Sequence, residues 1–437
     1  MKKVESKNEG WINGKVSAND IEFALPPGPR ESYHFSSSGK HVSRVVEFPG
    51  GPKTVSKLSN DCHRTSYDDP GSDFDWLYLR LKHRSPGENS TEPIRCVDLF
   101  SGCGGLSLGA KEACMAADLD FQPILALDND AAALAVYVRN FSPIRAHNCD
   151  IEHIVNGKNG GRITAAEREL LNEIKTVDLL LAGPPCQGHS DLNNHTRRKD
   201  KRNTLYERVG RFAEIMEPES ILIENVPTII HSHDRVLFET IELLQRRGYQ
   251  VDSGIVDLSE VGVPQKRKRH VLVASLDNYV KIEEVVEKYR VSLRTVRWAI
   301  EDLEQEKSNG IFAAPSCHTT ENLKRIDYLF ENELYDLPDA MRPACHRNGH
   351  SYKSMYGRIH YDEPAQTITS GYGCPGQGRF IHPTQRRALT PHEAARLQFF
   401  PDFFDFSNVE RRTALANMIG NAVPMKLSYV FTLELLG

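Results

Sequence analysis

Cys186 sits in AGPPCQGHS (182–190), directly after an apolar run, on a turn stiffened by Pro184 and Pro185 and kept tight by Gly183 and Gly188. A thiol held beyond the carboxyl end of a strand is a candidate nucleophile, provided neighbouring donors favour the thiolate. The plainer alternative is a small apolar filler, the usual fate of a lone cysteine. Glu224 closes another apolar run in ESILIENVP (219–227), where a carboxyl can serve as an acid or as a hydrogen-bond clamp. Arg267 and Arg269 alternate in VGVPQKRKRH (261–270) and share one face if that segment is extended. A capping Glu and an exposed basic strand would read the same way. HTRRKDKRNTLYERVGR (195–211) carries Arg197, Arg198, Lys199 and Arg202 with Tyr206 interleaved. It reads either as a mobile lid over an anionic backbone or as a solvated charged face.

A second group of residues has the character of a ligand cradle. In VDLFSGCGGLSLG (97–109), Gly102, Gly104 and Gly105 allow close backbone approach at the start of a helix. The spacing departs from G-x-G-x-x-G, since position 107 is Ser, which weakens a dinucleotide reading. Asp128 ends the second candidate strand, placed to grip ribose hydroxyls, and Asp150 ends the third, placed to accept from an adenine amino group. Together they suit a nucleoside; a structural tight turn with two capping acids is the alternative.

These residues need a scaffold that brings several strand ends together. Candidate strands at 94–100, 122–130, 145–151, 176–183, 220–226, 249–256 and 270–275, most of them short and apolar, alternate with helical periodicity, as in RVLFETIELLQRRG (235–248). That alternation predicts an α/β fold with a doubly wound sheet. Residues 1–93 are rich in Gly, Ser, Pro and charge; 42–50 reads as a strand, 51–62 and 73–84 as helices, and 85–93 as a linker. The 437 residues allow two or three domains. No run of about 18 apolar residues occurs, so no membrane span is expected, and the start lacks the apolar stretch of a secretory signal. Nine scattered cysteines without paired spacing fit a reducing cytoplasm. The 54 basic and 59 acidic residues give a net charge of -5, which argues against a surface coated in positive charge but leaves room for a local basic cleft.

The ordered series FSGCGG (100–105), PPCQG (184–188), ENVP (224–227), QKRKR (265–269), RALTPHEAARLQFFPD (387–402) and IGNAVP (419–424) resembles the motif series of the cytosine-C5 DNA methyltransferase family. The resemblance spans about 94–275 and 380–437. It implies a Rossmann-like methyltransferase domain over 94–275, a smaller irregular target-recognition region over 276–386, and a C-terminal segment, 387–437, that returns to the catalytic domain. It implies S-adenosylmethionine as methyl donor and a flipped-out cytosine in double-stranded DNA as substrate. Carried over by position, Asp98, Phe100, Ser101, Gly102, Cys103, Gly104 and Gly105 belong to the cofactor site. Asp128 would bind the ribose, Asn129 would flank the adenine, and Asp150 with Ile151 would contact it; Pro185 and Asn421 complete the site. Cys186 would attack C6, Glu224 would hold N3 and the exocyclic amine, Arg269 would reach O2, and Arg267 would help position the Cys186 loop. Gln187 would fill the vacated space or shape the loop. Two departures stand out: Pro184 where the family often has an aromatic, and Asp128-Asn129 where it commonly has Glu followed by an aromatic.

Sequence readout in such enzymes lies in the variable segment, where 345–380 offers Arg347, Lys353, Arg358 and Arg379 among Tyr and Gly. Cys317-His318, Cys345-His346 and His350 raise zinc as an alternative, but no C-x-x-C spacing supports it, and no metal is expected. RALTPHEAARLQFF reads as structural, with Glu393 and Arg396 tying domains together. Basic residues concentrate in 195–211, 265–269 and 379–387, which predicts one positive cleft on an acidic body. The expected protein is a monomer on DNA, a modification methylase with a cognate restriction endonuclease. An RNA cytosine methyltransferase of the same fold is the alternative; a nicotinamide oxidoreductase lacks its glycine pattern, and a silent DNA-binding module would have lost Cys186, Glu224 or Arg269.

Overall fold

Strands too apolar to face water on either side need helices on both faces, and the chain meets that need. The computed structural model describes residues 28–51, 53–60, 69–84, 93–185, 205–231, 235–305, 310–347 and 354–437. The first elements are β1 (Arg30–Phe35), β2 (His41–Glu47) and β3 (Lys53–Ser59), an antiparallel sheet in that order, then helix α1 (Pro70–Arg80). Asp69 caps α1 by accepting from Ser72 N at 2.9 Å, with Pro70 in the first turn, where its missing N–H costs nothing. The helix expected over 51–62 is instead β3. Thr54 and Val55 are β-branched, and residues 53–59 alternate between exposed and covered, which is the period of a strand.

The central body follows as β4 (Pro93–Leu99), α2 (Gly105–Ala116), β5 (Asp120–Asp128), α3 (Ala131–Phe141), β6 (Arg145–Asn148), α4 (Ala165–Glu173), β7 (Leu179–Ala182), α5 (Leu205–Met216), β8 (Ser220–Asn225), α6 (Val236–Arg246), β9 (Gln250–Asp257), β10 (Gln265–Lys266) and β11 (Lys268–Ser275). Seven strands form one sheet in the order β6-β5-β4-β7-β8-β11-β9, with β11 antiparallel to both neighbours and the other pairings parallel. Alternate residues feed two cores: Leu179 and Leu181 face the side of α2, Leu180 and Ala182 that of α5 and α6. The chain runs outward from β4 to β6, then returns to β7 on the other side of β4. The carboxyl ends of β4 and β7 thus flank the point where the winding reverses, where open α/β sheets bind their ligands.

The remainder adds α7 (Ile282–Lys288), α8 (Val296–Ile300), α9 (Thr320–Glu331), β12 (Ala365–Gln366), α10 (Pro391–Leu397), α11 (Arg412–Asn421) and α12 (Met425–Leu435). Ile282, Val285 and Val286 of α7 join the main core, whereas Ile326, Leu329, Leu337, Tyr356 and Ile381 build a small separate one. The parallel pair β10–β12 links that smaller part to the sheet-bearing body. No helix among the described residues is long and apolar enough to cross a membrane.

The basic run over 195–211 divides. Residues 205–211 open α5, with Tyr206 and Arg211 buried rather than presented to an anionic partner. Arg211 donates to Glu167 at 2.8 and 2.9 Å and to Glu214 at 2.7 Å, inside the protein. Burial pushes the Glu167 carboxyl up, but bonds from Arg211 and from the amides of Thr164 and Gly157 outweigh it and hold it at about 2. Its folded value lies below the ordinary 4.5, so its stabilisation is present above that pH and is lost as pH falls towards 2. Arg211→Met leaves Glu167 buried without its cation, while Glu214 keeps Arg247 at 2.9 Å, and should cost about 3–5 kcal/mol in urea unfolding at neutral pH. The deficit should shrink as the pH falls through 4.5 towards 2; a constant deficit would show that the ion pairs are not its source.

Candidate cofactor and active site

After Leu99 the chain turns at Phe100, whose φ of 58° is left-handed. That conformation costs a bulky residue on the order of 1–3 kcal/mol and persists only where its surroundings impose it. Ser101 N donates to Leu127 O at 3.0 Å and Gly104 N to Ser101 O at 2.9 Å, which folds 100–105 over the ends of β4 and β5. Gly104, at φ 101°, leaves no room for a side chain: a Cβ would lie 2.3 Å from the Phe141 ring. A Cβ on Gly105 would lie 2.3 Å from Val423 O, so the segment after α11 presses on the start of α2. Gly102 differs, since a Cβ there would meet nothing within 4 Å and its side of the loop is open.

The strand-end acids gather at this loop. Asp128 accepts from Gly102 N at 2.7 Å and from Asp130 N at 2.8 Å, and burial raises its carboxyl above the usual range. Asn129 Nδ2 donates to Asp150 Oδ1 at 2.9 Å, so the ends of β5 and β6 are joined; Asp150 is exposed and Ile151 buried behind it. Asp98 lies fully buried beneath the loop and accepts from Ser107 Oγ at 2.7 Å; that hydroxyl also meets Tyr137 OH at 2.8 Å. Burial pushes Asp98 up to about 7. Cys103 is buried against Met418 O, and burial pushes its thiol up to about 12, which disqualifies it as a nucleophile. Asn421 ends α11, exposed. The residues fit a nucleoside cofactor by a further sign: Ser101 Oγ and Asp98 Oδ1 are buried with no hydrogen-bond partner among the described residues.

The second half of the site stands at the ends of β7, β8 and β11. Glu224 is opposite Val271 and Asn225 opposite His270, so Glu224 shares a face with Val271 and, two residues earlier, Arg269. Arg269 Nε meets Glu224 Oε1 at 2.6 Å, both side chains mostly covered. Asn225 Nδ2 donates to Pro184 O at 3.3 Å and Gly183 N to Leu99 O at 3.2 Å. The residues leading to Cys186 are therefore held between β4 and β8, with Pro185 half-buried. Cys186 itself, Gln187, Arg197, Arg198, Lys199, Arg202, His350 and Lys353 lie outside the described residues.

Arg267 and Arg269 do not share one environment. The strand is interrupted at 267, and Arg267 turns inward, donating to Ile368 O at 2.9 Å and Ala422 O at 3.1 Å. It works as a strut between the smaller part and the segment 419–424. Two buried glutamines that the sequence reading passed over do the same. Gln265 donates to Leu397 O at 2.7 Å and accepts from Ile368 N at 3.0 Å; Gln398 donates to Ile419 O at 2.5 Å. Their only signal was an amide inside otherwise apolar or basic motifs.

Arg358 and Arg379, read as base readers, are committed internally. Arg358 donates to Pro383 O at 2.7 Å and stacks 4.2 Å from the Phe330 ring centroid; Arg379 donates to Tyr335 O and Arg358 O, both at 2.9 Å, and pairs with Asp336. Arg347 stays exposed, its Nε donating to Arg342 O at 2.7 Å. His318 accepts from Ala388 N at 3.1 Å. Arg386 pairs with Asp327 and Arg387 with Glu393, so the basic stretch 379–387 is largely neutralised within the protein and adds little to a positive cleft. Arg396 pairs with Asp302 and Asp402, and so braces α10 as a structural residue.

Residues 94–436 match the family described as C-5 cytosine-specific DNA methylase. The chain is 48% identical over 362 residues to the Type II methyltransferase M1.BsuMI of Bacillus subtilis (strain 168), covering 83% of this chain and 84% of that one. It is 32% identical over 349 residues to the Type II methylase M.HgiDII of Herpetosiphon aurantiacus, covering 76% and 92%. Among solved structures, the S. pombe Dnmt2 methyltransferase is similar in fold, with a TM-score of 0.57 at 20% identity over 78% of this chain and 98% of that one. A Glu–Arg pair at the ends of β8 and β11 and an open glycine loop after β4 thus occur in a chain that belongs to the C-5 cytosine-specific DNA methylase family and is a DNA cytosine-5-methyltransferase.

Proposed function

We propose that the enzyme methylates C5 of a flipped-out cytosine in a specific sequence of double-stranded DNA, using S-adenosylmethionine, as a modification methylase paired with a restriction endonuclease and acting as a monomer on DNA. The observation that carries this reading is the Glu224–Arg269 pair at 2.6 Å, on strand ends tied through Asn225 to the turn that leads to Cys186. Phe100 to Gly105 would hold the methionine part of the cofactor over Asp98 and beside Pro185. Asp128 would take the ribose, Asn129, Asp150 and Ile151 the adenine, and Asn421 would close the site. When bound, S-adenosylmethionine supplies an electrophilic methyl group.

Cytosine C5 is a poor nucleophile until aromaticity is broken. The Cys186 thiolate adds to C6, forming an S–C6 bond and building enamine character at C5, the atom that is methylated. Glu224 holds N3 and the exocyclic amine, favouring a protonated N3 as charge develops, while Arg269 donates to O2. Loss of the C5 proton to a base then breaks the S–C6 bond and restores both the ring and the thiolate. Extruding the base costs a few kcal/mol. The basic residues Arg197, Arg198, Lys199 and Arg202 would offset this on phosphates, and Gln187 would occupy the vacated space or shape the loop. Among the described candidate readers, the exposure of Arg347 supports giving it that role. Bisulfite sequencing of DNA from cells expressing the enzyme tests the reading. Protected cytosines should recur within one short sequence; unprotected DNA across varied sequences, with active label transfer to RNA, would replace it by the RNA reading.

A further inference from the structure

The described residues within 28–84, which precede the family match, are packed against the catalytic body. Arg44 of β2 reaches Glu112 of α2 at 2.8 Å, with both side chains buried, and its guanidinium lies 5.2 Å from the Tyr429 ring centroid. Glu31 of β1 accepts from the Tyr429 hydroxyl of α12. Asp75 of α1 pairs with Lys426 of α12 at 2.7 Å and with Arg294. The added module thus grips two helices, α2 and α12, by buried polar contacts. Those helices carry the two walls of the cofactor site: α2 begins at Gly105, and α12 follows directly on 419–424. They are themselves packed backbone to backbone, since a Cβ on Gly109 would lie 2.0 Å from Met425 O.

We propose that this module is a clamp that sets the register of α12 on α2, and so the spacing of the cofactor walls, with Lys426 and Tyr429 as positioning residues. The inference rests on the cofactor reading given above. Buried ion pairs add little net stability compared with apolar substitutes, and their best-attested use is to fix register. Lys426 and Tyr429 are three residues apart and lie on one face of α12. Sliding α12 by one turn, about 5.4 Å, would strip both of their partners at once. Apolar contacts alone would tolerate such a slip far better, because they lack direction. Val423 O would move with the helix, and the wall over Gly105 with it.

Lys426→Met tests this while leaving Asp75 paired with Arg294. Calorimetric titration of the full chain with S-adenosylmethionine should show affinity about tenfold weaker than wild type. Amide exchange over 100–109 and 419–424 should quicken, and duplex affinity should stay within about twofold. Lys426→Arg, which keeps the cation, should restore both readouts. Tyr429→Phe removes only a hydroxyl and should act in the same direction, which keeps the test open if the Met variant does not fold. A lowered Tm with cofactor affinity and exchange unchanged would overturn the clamp and leave a purely structural role. Wild-type protein that binds no S-adenosylmethionine would instead overturn the cofactor reading on which the clamp rests.

Discussion

Replacing Cys186 by alanine should lower methyl transfer by at least about 10⁴-fold, on the order of 5.5 kcal/mol of transition-state stabilisation, while duplex affinity stays near that of wild type. The asymmetry follows from the chemistry. Without a thiolate on C6 the ring keeps its aromaticity, and C5 has no electron pair to offer the methyl group. Binding draws on phosphate and base contacts elsewhere, which a missing sulfur leaves alone. Transfer of labelled methyl groups to DNA reports the first quantity and fluorescence anisotropy of a labelled duplex the second. Full activity in the variant would remove Cys186 from the mechanism. Loss of binding together with activity would show that Cys186 supports the loop rather than the reaction.

Glu224→Gln should reduce kcat by about 10²–10⁴-fold, the range for loss of a positioned acid. The amide can still accept from the exocyclic amine, but it cannot carry a proton to N3, so KM for DNA should change far less than kcat. The structure adds a complication. Arg269 loses its ion-pair partner, although its Nη1 still donates to Lys268 O at 2.7 Å. Arg269→Lys isolates that effect: it keeps a cation beside Glu224 and loses the planar fork, so its kcat should fall less than that of Glu224→Gln. Equal falls in both variants would indicate that the pair acts as one unit. A Glu224→Gln enzyme within tenfold of wild type would exclude the carboxyl from proton handling.

Much of this was legible in the sequence because the signals were local. The inner strands of the central sheet, β4, β5, β7, β8 and β11, are short runs rich in apolar residues, and the loops after β4, β5, β7 and β8 carry residues whose types announce ligands. Segment 53–59 was misread because Lys53, Lys57 and Leu58 suit a helix as well as a strand; only pairing with β2 decides between them. The basic residues misled for a different reason. A guanidinium looks the same in sequence whether it faces phosphate or, like Arg211, two buried carboxylates, or, like Arg379, internal carbonyls. The clamp was hidden by distance along the chain: Arg44 and Glu112 are 68 residues apart, and Glu31 and Tyr429 398 apart. No periodicity connects such pairs.

The covalent chemistry has one direct test. A duplex carrying the enzyme's own recognition sequence, mapped by bisulfite, can be made with 5-fluorocytosine at the target position. Fluorine cannot leave as a cation, so the step that breaks the S–C6 bond is blocked after methyl transfer. With S-adenosylmethionine present, wild-type enzyme should form a complex stable to denaturant, and mass spectrometry of its digest should place the modified nucleotide on Cys186. Turnover of ordinary DNA without any trapped complex, or a complex through a different residue, would contradict the Cys186–C6 adduct.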